Sequence, residues 1–231
     1  AHGRAVLNLV EDSSGPPDHD TSHVFVFDAL TGNLLFNRAE PGVHLAEPID
    51  PERLLLADVD FSARLVDLDG STLHEFGPFG HGIEAMSPAG NGDLLFGLGD
   101  GSIVRHDADS FAETLTYVGP PSAVMNILPF DGGFVSQHFD GDIVKWYDES
   151  TEPAGTLFVG SGFAGFSSLN EDGTAVMAPE PGRVVRVPLS IDAFVDEACA
   201  RVGPVVDETT WSAVTGSPPG DALEVCSNLG G

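Results

Sequence analysis

Residues 86–107 read MSPAGNGDLLFGLGDGSIVRHD. Two apolar runs, DLLFGLG (93–99) and SIVRHD (102–107), flank Asp100-Gly101. An Asp-Gly pair supplies the positive φ that a two-residue hairpin turn requires, so the stretch predicts two antiparallel strands. A lone strand pair cannot bury both of its faces. A pair that recurs therefore implies an array of units sharing their apolar surfaces.

The pair does recur. Asp20, Asp60, Asp100 and Asp140 follow one another at a constant interval of 40 residues, with Glu180 at the next step. After each acid comes a β-rich run: HVFVFD (23–28), ARLVD (63–67), SIVRHD (102–107), DIVKWYD (142–148) and RVVRVP (183–188). Before it lies a second: AVLNLVE (5–11), RLLLADV (53–59), DLLFGLG (93–99), GFVSQHF (133–139) and TAVMAPE (174–180). Short runs of Val, Ile, Phe and Trp bounded by Gly, Asp and Pro are strands. Weaker strands follow each pair, NLLFNRA (33–39), STLHEFG (71–77), ETLTYVG (113–119) and GTLFVGS (155–161). A short strand precedes the next, as in GIEAMSP (82–88), VMNILPF (124–130) and GFSSLNE (165–171). Four strands per ~40 residues is the length of one propeller blade. The count is one unit lacking its first strand, three complete units, and a last one lacking its outer strand.

Within this frame GHGIEAMSPAGNGDLLFGLGDGSIVRHD (80–107) resembles a WD-repeat blade. Gly80-His81 opens it, Ser87-Pro88 and Gly90 mark the turn after the inner strand, and His106-Asp107 stands where the family has Trp-Asp. The resemblance extends, more weakly, over most of residues 1–189. Trp146 is the one tryptophan at the motif position, with Tyr147-Asp148 after it, and Asp28-Ala29-Leu30-Thr31-Gly32 resembles the post-strand turn. Gly119-Pro120 and Gly160-Ser161 replace the expected Gly-His, which predicts an incomplete side-chain network within those blades. The resemblance implies an all-β propeller of about five blades, the C-terminal part of a larger one. It leaves open sheet edges prone to self-association. A compact five-blade ring is the alternative.

Past residue 189 the period changes. In SIDAFVDEACARVG (190–203) the apolar residues fall on one helical face, with Ser190 or Asp192 to cap it and Gly203 to end it. Asp207 caps a second short helix reaching Val214. This helical tail (190–231), with Cys199, Trp211 and Cys226, resembles the ending of many actinobacterial WD-repeat proteins, often STAND-type ATPases or transcriptional regulators. Its two cysteines are read either as a disulfide or as two buried thiols. No Gly-x-x-x-x-Gly-Lys-Ser/Thr occurs.

The composition narrows the partners. Nine Lys and Arg against 36 Asp and Glu give a net charge of −27, and Lys145 is the only lysine. Such a surface repels nucleic-acid phosphates and anionic lipid heads. No apolar run approaches the ~18 residues of a membrane helix. The chain opens Ala1-His2-Gly3, as a piece of something longer, and a cytoplasmic location is the expectation.

The turn acids Asp20, Asp60, Asp100 and Asp140 attract a catalytic reading, but their recurrence argues for bracing. A catalytic group is needed once, whereas each turn needs an acceptor for its own amides. His81, His106, Asp107, Trp146 and Asp148 are read as structural motif residues. His19-Asp20-Thr21-Ser22-His23 matches no known ligand spacing. No Gly-x-Ser-x-Gly elbow is present. The sequence thus predicts a non-catalytic scaffold or sensor that binds proteins or peptides, without cofactor or metal, in a larger bacterial signalling protein. The alternative is a propeller enzyme or a small-ligand or carbohydrate-binding module with a site in the central channel.

Overall fold

The computed structural model describes residues 4–11, 21–28, 30–160, 162 and 165–190. The predicted tail, with Cys199 and Cys226, lies outside the described residues, as does Asp20. Every regular element among them is a β-strand. The chain divides into two compact units, residues 1–166 and 167–231.

The first unit holds four antiparallel sheets. The first sheet is β1 (Arg4–Glu11), β2 (Thr21–Asp28) and β3 (Leu34–Pro41). The second is β4 (Val43–Pro48), β5 (Arg53–Asp58), β6 (Ala63–Asp67) and β7 (Thr72–Phe76). β8 (Ile83–Pro88), β9 (Leu94–Leu98), β10 (Ser102–His106) and β11 (Glu113–Val118) form the third. β12 (Val124–Phe130), β13 (Gly133–His138), β14 (Ile143–Tyr147) and β15 (Gly155–Phe158) form the fourth. Each is a meander in chain order, so the 40-residue interval of the sequence is the interval of the sheets. The second unit carries a fifth sheet, β16 (Ser168–Leu169), β17 (Ala175–Glu180) and β18 (Arg183–Pro188). Its first strand shrinks to two residues, because glycine and serine in 165–171 offer little to pack.

Inner strands read as unbroken apolar runs because both faces are covered, unlike the alternation of a one-sided sheet. Leu54 and Leu56 of β5 join Val24, Val26 and Val66 in a core shared by the first and second sheets. Leu55 and Ala57, pointing the other way, join Leu94, Phe96 and Leu98 in the core between the second and third. Leu95 and Ile103 turn to the opposite side and meet Phe134, Val144 and Trp146 of the fourth. Each Leu or Phe so buried contributes about 2 kcal/mol of transfer free energy. Within this unit the leading strands also meet, β1 on β4, β4 on β8, and β8 on β12.

One position is filled differently at each of these junctions. Val66, His106 and Trp146 are 40 residues apart, all buried, and each pairs with the equivalent residue of the preceding strand, Leu54, Leu94 and Phe134. Val66 faces the first sheet. His106 lies edge-on to Phe76, Phe79 and Phe96, and Trp146 lies edge-on to Tyr117. Phe25 and Phe27 of β2 form a stacked ladder with His23, alternating with Val24 and Val26 and so lying on the far face of the first sheet.

Candidate functional site

Among the described residues Asp60, Asp100 and Asp140 sit in the turns between the second and third strands of their sheets, and Glu180 ends β17. Asp60 Oδ1 accepts from the Ser62 amide at 3.1 Å and its hydroxyl at 2.6 Å. Asp100 makes the same pair with Ser102, at 3.0 and 2.6 Å, and Asp140 accepts from the Asp142 amide at 3.1 Å. The Ser62 hydroxyl holds the Asp60 carboxyl below the ordinary carboxylate range. His81 Nε2 lies 3.3 Å from Asp100 Oδ2, and both side chains are exposed. A second tier of acids closes the following turns. Asp107 Oδ1 takes the Ser110 amide and hydroxyl, each at 2.7 Å, and that amide depresses its carboxyl. Asp28 takes the Leu30 and Thr31 amides.

Asp148 differs from its repeats, because Arg105 crosses from the third sheet to reach it. The Arg105 side chain is 7% exposed. Its Nε lies 2.7 Å from Asp93 Oδ2, and its Nη1 donates to Asp148 O at 2.9 Å and to Oδ1 at 3.2 Å. The Tyr117 hydroxyl donates to Asp148 O at 3.1 Å and accepts from Arg105, with burial lifting its phenol above the ordinary value. Asp93 Oδ1 takes the Ala108 amide. Arg105 Nε and Nη1, both Asp93 oxygens and the Tyr117 hydroxyl are matched, as a buried charge requires.

A serine and a histidine do come together, but in a closed chain. Trp146 Nε1 donates to Ser136 Oγ at 2.8 Å, Ser136 Oγ lies 2.9 Å from His138 Nε2, and His138 Nδ1 lies 2.8 Å from Ser122 O. A carbonyl only accepts, so Nδ1 carries a hydrogen. With a neutral ring, the Ser136 hydroxyl then donates to Nε2. Ser136, His138 and Trp146 are wholly buried, so this hydroxyl meets no substrate. Here the histidine comes from β13, not from the Gly119-Pro120 loop where the sequence resemblance places one. The available signal was Ser-x-His on one face of a strand, with Trp146 ten residues on. His106 bonds Phe111 O through Nδ1 at 2.9 Å, while its Nε2 has no hydrogen-bond partner.

What sequence reading missed is a cavity. The ends of β4, β8 and β12 line about 690 Å3, with Pro48 and Pro88 ending the first two strands and Pro129 next to last in the third. Met86, Ile127 and Leu128 supply apolar wall, and Glu47, Asp50 and Arg53 are its charged lining. Arg53 Nε lies 2.6 Å from Asp50 Oδ2, and Asp50 Oδ1 takes the Glu52 amide at 2.8 Å. Burial pushes the Glu47 carboxyl up to about 7. A carboxyl in that range can hold or release a proton near neutrality. No sequence motif marks it, since Glu47 and Met86 each read as ordinary strand residues.

Among the described residues no group of three or more His, Cys, Asp or Glu side chains is placed to hold a metal ion, and no helix is long and apolar enough to cross a membrane. Neither a protein-family model nor a curated protein matches the sequence. Among solved structures the chain is similar to the computationally designed Ika8 protein, with a TM-score of 0.56 and 19% sequence identity over 73% of this chain. It spans 54% of that designed chain, and at this identity the similarity speaks for the fold alone.

Proposed function

We propose that the sheets are blades of a WD-repeat-like β-propeller that serves as a non-catalytic scaffold or sensor for proteins or peptides, in a larger bacterial signalling protein. One observation carries the reading: the acids that recur from sheet to sheet are engaged in turns, and Asp148 among them in a pair with the buried Arg105. The far-face ladder of Phe25 and Phe27 supports a larger propeller, because the neighbouring sheets bury that kind of surface against another sheet. The net charge of −27 favours basic partners. Peptide arrays graded in charge test this. Salt-sensitive binding of basic peptides is the expected outcome, and turnover of a small molecule abolished by one substitution would overturn it.

The alternative, a small-ligand or carbohydrate module, is favoured by the cavity and its Glu47 carboxyl. A sugar panel titrated against the chain tests that reading, which fails if no sugar perturbs the residues of the cavity.

A further inference from the structure

We propose that the cavity at the ends of β4, β8 and β12 receives a cationic side chain, a lysine-type ammonium on its alkyl stem, with Glu47 as the counter-charge. The source of that cation, a bound peptide, rests on the scaffold reading; the preference for a cation rests on the cavity itself.

Three observations converge. The first is the charge inventory of the lining. Among the described residues its charged side chains are Glu47, Asp50 and Arg53, while β8 and β12 contribute none. Arg53 is committed to Asp50, whose other oxygen holds the Glu52 amide. Among the described residues no donor reaches the Glu47 carboxylate. Burial dominates the Glu47 pKa, which the chain's terminal ammonium lowers only in part. Among the described residues no cation is paired with this carboxyl, and an entering cation supplies what that lining lacks.

The second is shape. At about 690 Å3 the cavity is in the range of sites that enclose a small ligand, and admits a side chain with the backbone that carries it. Met86, Ile127, Leu128 and Pro129 give the apolar wall against which methylenes lie while the charged head reaches an acid. The third is protonation. Burial keeps the Glu47 carboxyl protonated to about pH 7, a penalty on its charged form that an ammonium beside it relieves. Cation binding therefore releases a proton and weakens as pH falls.

The test is titration of the full chain, labelled with 15N, using N-acetyl-lysine-N-methylamide and its uncharged norleucine analogue. The lysine derivative should bind about tenfold tighter than the norleucine one. Its chemical-shift changes should centre on Glu47, Met86 and Ile127. Binding should weaken several-fold from about pH 8 to about pH 6, as Glu47 takes up its proton. Glu47→Gln should erase the lysine preference without lowering the unfolding midpoint. Equal binding of the two derivatives, or a preference that survives Glu47→Gln, would overturn the cation site. If basic peptides bind only at the turns of Asp60, Asp100 and Asp140 and Glu47→Gln leaves their affinity unchanged, the cavity proposal falls and the scaffold reading stands. If the lysine derivative binds as described but no peptide does, the cation site is upheld and its peptide source is overturned.

Discussion

Gly97 on β9 stands directly against Val124 on β12: a methyl group at the glycine would fall 2.6 Å from Val124 Cγ1 and 2.8 Å from its Cβ. The valine is β-branched, buried and stiff, so it cannot swing away. Gly97→Ala is expected to cost about 1–3 kcal/mol in urea unfolding, the usual cost of overpacking. The same change made on a Val124→Gly background, which removes both Cγ1 and Cβ, should cost clearly less, and equal costs in the two backgrounds would refute this contact as the cause.

Ser136 separates buried from exposed hydrogen bonding. Ser136→Ala leaves Trp146 Nε1 and His138 Nε2 without their shared partner in a dry site, an expected loss of roughly 2–4 kcal/mol. Ser102→Ala removes a hydroxyl bond to Asp100 at an exposed turn and should cost no more than about 1 kcal/mol. Thermal unfolding of the two variants checks the order, which a larger loss at Ser102 would reverse.

Phe61 follows Asp60 where Gly101 follows Asp100 and Gly141 follows Asp140, yet it adopts the same left-handed backbone, with φ of 69°. A non-glycine residue there carries strain of about 1 kcal/mol, which asparagine tolerates better. Phe61→Asn should raise the denaturation midpoint. Gly101→Ala should lower it steeply, because its methyl group would fall 1.8 Å from the Pro120 carbonyl oxygen.

Glu47 gives stability a pH dependence of definite sign. Its folded pKa of about 7 lies above the ordinary 4.5, so between those values the folded chain binds more protons than the unfolded one. Its contribution is then most favourable below pH 4.5 and is lost as pH rises through about 7. Glu47→Gln should accordingly gain roughly 1–2 kcal/mol over the parent at about pH 8 and nothing at about pH 4. Unfolding curves at the two pH values provide the measurement, and an equal change at both would contradict the assignment.

A net charge of −27 in 231 residues makes the folded chain repel itself. Salt screens such repulsion, so the melting temperature should rise by several degrees between about 0.05 and 0.5 M NaCl. A fall would mean that attractive pairs such as Arg64 with Asp58, 2.8 Å apart, outweigh the repulsion.

Strand order was legible because the pattern that encodes it is local and repeated. RLLLAD over Arg53–Asp58 is short and sits before a recurring turn acid, which made it a strand of a repeated hairpin, and the acids at a fixed interval marked each turn. The side-chain networks were less legible, because they join residues distant in sequence whose types change from one repeat to the next. Arg105 and Asp148 are 43 residues apart and share no motif. The residues of the cavity come from three strand ends, and the property that distinguishes Glu47 is its surroundings, which a linear pattern does not carry.

The differing occupants of the position shared by Val66, His106 and Trp146 bear on how such a molecule can change over time. A duplicated or transplanted repeat would bring the wrong plug to its new seam: an imidazole among valines, or an indole where three phenylalanines leave no hydroxyl to meet its N–H. Leu65 and Lys145 stand where the third sheet has Arg105, so another repeat placed at its seam would leave Asp148 without that partner. The similar-looking modules are therefore not interchangeable parts, and gene-level shuffling among them is closed off long before their outlines diverge.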